Sequence, residues 1–347
     1  MKVVADKYIP FLRGILEPYA EVLYMEPEEI TAETVREADA LLVRTRTRCN
    51  AALLDGSRVR FVATATIGYD HIDTQYCEEH GIFWTNSPGC NAQGVCDYVE
   101  EALRVIESSK KKEERQNPRT IGIVGVGHVG SLVAEMAERR GYRVLLNDPP
   151  KEMALRDLRN LGNRSDLSNL SGLSSSSFVP LDTIARESNI VTFHTPLTRS
   201  GDYPTWHLCD KTFLGKCKPD AVIINAARGG ILDEEAALST SFNSQLSTLN
   251  FIIDTWQGEP GINKEMLDRA TIATYHIAGY TLQGKINATN LCLSALCKYF
   301  SLPVLQIPEK SLPLSPKSQE GWIMQVDKQL REHPEMFETL RETYPLR

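Results

Sequence analysis

The sequence predicts an α/β protein built on two doubly wound parallel sheets, with a short C-terminal extension. Three observations carry that expectation. The chain has 347 residues, and at roughly 150 residues per domain this length suits two domains. Short apolar runs alternate with helical stretches in two successive series. The second series opens with a glycine-rich turn, Gly125-Val-Gly127-His-Val-Gly130, between a strand-like and a helix-like run.

Element by element, the first series places strands at residues 3–6, 39–45, 59–64 and 82–85. Helices fit at 11–20 and at 74–80, the latter ending at Gly81, a natural left-handed stop. A long helical pattern from 91 to about 116 bridges into the second series. Its charged end, KKKEER at 110–115, reads as a solvated helix terminus. Strands follow at 120–124, 143–147, 190–193, 221–225, 250–253 and 271–275, with a helix at 129–140 after the glycine turn. The serine-rich stretch 165–177 reads as a surface loop. After Gly279 a helix is expected at 282–300, then a tail that starts with prolines and ends in a charged helical stretch.

Composition narrows the function classes. Hydrophobic residues make up 42% and charged residues 24%, as in an ordinary globular protein. No apolar run reaches the roughly 18 residues of a membrane span, and the N-terminus meets Asp6 before any secretory apolar core. The net charge of −7 makes general nucleic-acid binding a poor fit. An anionic ligand would need a local basic site. The eight cysteines form no Cys-x-x-Cys pair, which suits reduced thiols in a cytoplasmic protein and offers no metal site.

The glycine turn reads as a dinucleotide site for NAD. Gly125 permits the tight turn, Gly127 lets a pyrophosphate approach the backbone, and Gly130 lets helix and strand pack closely. The helix start at His128 and Val129 presents free N–H groups to the phosphates. Asp148 ends the next strand. Its carboxylate can accept from both ribose hydroxyls and would repel a 2′-phosphate, which favours NAD over NADP.

Three further polar residues stand after strands of the same series: Arg228, Glu259 and His276. In an open parallel sheet, ligands bind beyond the carboxyl ends of the strands. Singly, they read as a surface ion pair, a turn acid and a core histidine. Together beside a nicotinamide site they suit hydride transfer at an alcohol next to a carboxylate. His276 would take the hydroxyl proton, Glu259 would orient the imidazole, and Arg228 would hold the carboxylate and the reacting oxygen. Near the N-terminus, V-R-T-R-T-R at 43–48 puts Arg44, Arg46 and Arg48 on one face if the strand continues. Arg44 and Arg46 are then candidates for a phosphate grip. The alternative is a solvated strand end.

Gly125–Gly130, Asp148, Arg228, Glu259 and His276, in that order, resemble the D-isomer-specific 2-hydroxyacid dehydrogenase superfamily over about residues 1–300. The runs Pro88-Gly-Cys-Asn-Ala92 and His276-Ile-Ala-Gly-Tyr-Thr-Leu-Gln-Gly-Lys285 resemble a branch acting on 4-phospho-D-erythronate in vitamin B6 biosynthesis. The resemblance implies two Rossmann-like domains with the active site in the cleft between them. Residues 1–95 and 282–300 would form the substrate-binding domain, 96–281 the NAD domain and 301–347 the extension. It implies catalysis by Arg228, Glu259 and His276, and NAD contacts at Asp148, Thr195, Ala226, Ala227, Arg228, Asp254 and Gly279. Substrate contacts fall on Thr45, Thr66 and Tyr280, and the assembly implied is a homodimer. Two rivals remain: a dehydrogenase acting on 3-phosphoglycerate, and a non-catalytic NAD-sensing protein of the same fold.

Overall fold

The computed structural model describes residues 1–108, 119–160, 178–239, 248–308 and 321–346. The chain divides into two compact units. Among the described residues the first comprises 1–91, 280–308 and 346, and the second 92–279 and 321–345.

In the first unit, β1 (Lys2–Asp6), β2 (Glu21–Met25), β3 (Ala40–Val43), β4 (Phe61–Thr64) and β5 (Phe83–Thr85) form one sheet. Helices α1 (Ala32–Val35), α2 (Ala51–Leu54) and α3 (Thr74–Glu79) lie between them in the chain. The strand order is β2-β1-β3-β4-β5, and every pair is parallel. The central runs ALLV and FVAT are buried at every position, as a sheet covered on both faces requires. Alternate residues serve opposite faces. Ala5, Leu42 and Phe61 pack with Cys292, Leu293 and Leu296 of the helix Leu282–Tyr299, while Val4, Leu41 and Val62 pack with Leu53, Leu54 and Cys77.

Two expectations fail here. Residues 11–20 form turns, not a helix. Phe11 and Gly14 have φ of 60° and 85°, Pro10 precedes the segment and Pro18 interrupts it. Leu12 and Leu16 are nonetheless buried, so their helix-like spacing served the core without a helix. The strand expected over 39–45 stops at Val43, and Arg44–Arg48 is a turn, so the arginines do not share a strand face. Strand β2 went unpredicted. It is an edge strand whose pattern of exposed and half-buried residues gives no clear period.

The second unit begins with α4 (Ala92–Ser108), β6 (Thr120–Val124), α5 (His128–Arg139), β7 (Arg143–Asn147) and α6 (Pro149–Asn160). It continues with α7 (Leu181–Glu187), β8 (Ile190–Phe193), α8 (Lys211–Leu214), β9 (Val222–Asn225) and α9 (Glu234–Ser239). Strand β10 (Asn250–Ile253), α10 (Lys264–Arg269) and β11 (Ile272–Ala273) complete the series. The chain then returns to the first unit as α11 (Leu282–Tyr299), and α12 (Trp322–Glu332) and α13 (Phe337–Thr343) belong to the second. The charged run 110–115 and the serine-rich stretch 165–177 lie outside the described residues.

The six strands run parallel in the order β11-β10-β9-β8-β6-β7. Phe178 adds a parallel bridge to Leu146 beyond β7. With that bridge as a vestigial third strand, the order reads 3-2-1-4-5-6-7, the arrangement of a dinucleotide-binding half with one added strand. The order reverses between β6 and β8, and in open parallel sheets ligands bind beyond the strand ends at such a switch point. Among the described residues, no helix is long and apolar enough to cross a membrane.

Candidate active site

The loop after β6 meets the loop after β8 at the switch point. A side chain at Gly125, where φ is 88°, would collide with the His194 carbonyl, 2.9 Å from an added Cβ. A Cβ at Gly130 would lie 2.0 Å from the Gly125 carbonyl oxygen, so α5 seats on its own entry loop only with glycine there. Gly127 faces open space: nothing lies within 4 Å of an added Cβ. It is also the N-cap of α5 and offers no side-chain cap, so the N–H groups of His128, Val129 and Gly130 point out uncapped by it.

These residues fit a dinucleotide. The open cradle at Gly127 leaves room for a pyrophosphate, and Thr195, beside Gly125, carries a buried hydroxyl with no hydrogen-bond partner among the described residues. Asp148 accepts from the Val126 N–H at 2.8 Å and the Lys151 N–H at 3.0 Å, one on each oxygen, and keeps lone pairs for ribose hydroxyls. Lys151 was missed by the sequence reading. Its ammonium donates to the Val126 carbonyl and approaches Ser131 Oγ at 3.4 Å, beside the phosphate loop. Burial pulls its pKa down while Asp148 raises it. Its position three residues after Asp148 was the available signal.

Adjacent strands β9, β10 and β11 carry the polar trio. Asn225, buried at the end of β9, donates through Nδ2 to the carbonyls of Arg228 (3.0 Å) and Thr255 (3.1 Å), tying two loops together. Gly229 makes this possible, since an added Cβ would lie 1.9 Å from the Trp256 carbonyl oxygen. Ala226 and Ala227 are buried in the same loop, and half-buried Arg228 donates to the Ala227 carbonyl at 2.8 Å.

Glu259 accepts the Trp256 N–H on Oε1 at 2.7 Å, and its Oε2 lies 2.7 Å from His276 Nδ1. The histidine backbone is held by Asp254. That buried carboxylate accepts from Thr274 Oγ1 (2.6 Å) and the N–H groups of Ile277 (2.8 Å) and Ala278 (2.9 Å), fixing the turn that ends at Gly279. Burial lowers the imidazole pKa, but the hydrogen bond and charge of Glu259, with Asp254 behind, raise it more, and the net shift is upward. Glu234, also missed, accepts the Gln257 N–H at 2.7 Å. Burial pushes its carboxyl up to about 7, the Gln257 hydrogen bond opposing and the charge of Glu259 adding.

The remaining candidates belong to the first unit. Arg44 is half-buried, with Thr45 and Arg46 exposed in the turn after β3. Both arginines bear on Asp6, the buried end of β1, whose pKa is raised by burial and lowered by a hydrogen bond from Tyr8 and these cations. Thr66 Oγ1 is 2.7 Å from Thr64 Oγ1 and donates to the Gly68 carbonyl. The Lys285 ammonium lies 4.3 Å from the centroid of the Tyr280 ring. Thr281 caps α11 by accepting from the Gly284 N–H.

A dinucleotide half whose strand ends carry a His–Glu pair and an arginine suits a nicotinamide-type dehydrogenase. Residues 3–306 match the model of the D-isomer specific 2-hydroxyacid dehydrogenase catalytic domain, and the chain belongs to that family. The erythronate-4-phosphate dehydrogenase of Bacteroides fragilis is 43% identical over 361 residues, covering 100% of this chain and 97% of that protein. The enzyme of the same name from Marinobacter nauticus is 41% identical over 313 residues, 90% of this chain and 76% of that one. Among solved structures, the NAD+-bound 3-phosphoglycerate dehydrogenase of Entamoeba histolytica superposes with a TM-score of 0.67 at 25% identity, covering 89% of this chain and 99% of that one.

Proposed function

We propose that the protein is an NAD-dependent dehydrogenase that oxidises 4-phospho-D-erythronate to (R)-3-hydroxy-2-oxo-4-phosphooxybutanoate, a step toward pyridoxal 5′-phosphate. The observation that carries the reading is the 2.7 Å contact between His276 Nδ1 and Glu259, at the strand ends of a dinucleotide half. With the Nδ1 proton shared with the carboxylate, Nε2 keeps a lone pair and takes the proton of the C2 hydroxyl. NAD held by the glycine turn and Asp148 would supply the acceptor for the hydride leaving C2. Arg228 binds the substrate carboxylate and steadies the charge on the reacting oxygen. Gly125–Gly130 and Asp148 hold the cofactor, with Thr195, Ala226, Ala227, Asp254 and Gly279 along it. Thr45, Thr66 and Tyr280 contact the substrate, and Arg44 and Arg46 hold its phosphate. The second unit is the NAD domain and the first the substrate domain. The reading includes a homodimer in the cytoplasm, and the eight free cysteines support a reducing compartment.

The test is the absorbance of reduced nicotinamide with NAD and a panel of 4-phosphoerythronate, erythronate and 3-phosphoglycerate. The phosphorylated four-carbon acid should give the highest kcat/KM, and faster turnover of 3-phosphoglycerate would reassign the substrate. Arg46→Ala should raise KM for 4-phosphoerythronate by about tenfold or more, since a charged hydrogen bond is worth ~1.5–3 kcal/mol. It should leave KM for erythronate nearly alone. Equal effects on both would return the arginine to the solvated surface.

A further inference from the structure

The family match ends at residue 306, yet the chain beyond it returns to the second unit and closes around the His276 loop. Asp327 on α12 accepts the Ala273 N–H at 2.8 Å, and Gln329 accepts the Tyr275 hydroxyl at 2.8 Å. Arg331 donates to the carbonyls of Leu267 and Ala270. The rings of Tyr275 and Tyr344 meet edge-on at 6.0 Å. The residue before His276 is thus gripped by the tail.

The tail also reaches the other partner of His276. Arg341 on α13 places Nη1 3.9 Å from Glu259 Oε2, the same oxygen that meets the imidazole. Its Nη2 pairs with Glu338 at 2.7 Å, one turn back on the same helix. Its Nε is buried and has no hydrogen-bond partner among the described residues. A cation whose only closer ion pair among the described residues is to a half-buried neighbour on its own helix would ordinarily turn that donor to water. Here it is held inward instead, against the carboxylate that orients the histidine.

We propose that Arg341 is a positioning residue for the reaction: from the C-terminal segment it holds the Glu259 carboxylate, and through it the His276 ring. This rests on His276 being the base. The charged groups bearing on the imidazole are Glu259 from the loop after β10, Asp254 from the end of β10 and Arg341 from α13. Behind them, Glu338 sits on Arg341 and Glu234 bears on Glu259. The two acids raise the proton affinity of His276 and Arg341 lowers it. The tail therefore tempers the carboxylates and keeps the base neutral, and active, to lower pH.

Two measurements test this on the full-length protein: the titration of His276 by NMR of 15N-labelled histidine, and the pH profile of kcat/KM for oxidation. Arg341→Gln should raise the His276 midpoint by about 0.5 unit and move the acid limb the same way, about a threefold loss of rate below the limb. Arg341→Lys should restore most of both. In a Glu259→Gln background the same change should move the midpoint less, because only the direct repulsion between Arg341 and the imidazole remains. A lower melting temperature with an unmoved midpoint would make Arg341 a tail anchor only and overturn the proposal. So would a midpoint shift of equal size in the Glu259→Gln background. If the His276 midpoint shifts but the rate profile stays, the base assignment fails, and Arg341 loses its part in the reaction with it. Should Arg341→Gln not fold, Arg341→Lys against Glu259→Gln still decides, since a wild-type midpoint must accompany the retained charge.

Discussion

His276 sits in the left-handed backbone region with φ of 57°, which a non-glycine residue holds at a cost of about 1–3 kcal/mol. The cost is borne because Asp254 accepts the two N–H groups that follow, leaving the turn one conformation. The strain aims the ring at Glu259. Asparagine tolerates the same backbone region, so His276→Asn should fold normally and bind NAD within a few-fold of wild type. Loss of the general base should cut kcat by about 10²–10⁴-fold. A variant within a few-fold of the parent rate would remove His276 from the chemistry. Asp148 carries a second residue-scale expectation. Besides the ribose role proposed for it, Asp148 accepts the Val126 N–H inside the glycine turn. Asp148→Ala should therefore weaken NAD by about tenfold or more, a charged hydrogen bond being worth ~1.5–3 kcal/mol. NADP should weaken less, because the repulsive charge is also gone. Dissociation constants for both cofactors check this, and an unchanged NAD/NADP ratio would contradict it.

Between elements, the loops after β9 and β10 pack closely at Gly229 and are tied by side chains. Asn225 bridges them, and Gly229 lies where any side chain would meet the Trp256 carbonyl. Arg228 rides on one loop and Glu259 on the other, so their separation is set by a glycine. Gly229→Ala must push the loops apart. Overpacking of this kind costs about 1–3 kcal/mol. The loss in kcat/KM should exceed what that destabilisation implies, because Arg228 moves relative to His276. Full activity with an unchanged melting temperature would mean that the loops slide without consequence. Elements also show where local reading fails. Leu12 and Leu16 have helical spacing, but Pro10, Pro18 and a left-handed Phe11 deny the backbone a helix. The V-R-T-R-T-R run has strand alternation, but β3 ends where its neighbours end, and pairing rather than propensity set that limit.

Across the whole molecule, stability should peak on the acid side of neutrality. Glu234 is held near 7 against an ordinary 4.5, its protonated form favoured by the fold. Its contribution is fully present below about 4.5 and is lost as pH rises through 7. His276, also raised, loses stability in the same direction. His194 opposes them. Burial pushes it down to about 3 from 6.5, so its contribution is complete above 6.5 and is lost as pH falls toward 3. Glu234→Gln should therefore stabilise the protein at pH 8 by about 1–3 kcal/mol and leave it nearly unchanged near pH 4.5. Denaturant unfolding across that range checks the sign. Destabilisation at pH 8 would mean that the fold does not raise the Glu234 carboxyl.

The candidate site was legible in the sequence as a set of positions: the glycine spacing at 125–130, Asp148 at the next strand end, and Arg228, Glu259 and His276 after three apolar runs. A parallel sheet puts every strand's carboxyl end on one edge, so strand boundaries alone bring such residues to the same place. Only the tertiary structure decided which groups touch. It made Asp254 the clamp of the His276 turn and buried Glu234 behind Glu259. It also brought Arg341 from the far end of the chain onto the same carboxylate. These contacts join residues far apart in sequence, through packing that no local period encodes. A side chain's charge state likewise depends on what surrounds it after folding, and for that reason the sequence offers His276 as the candidate base while the fold sets its pH range.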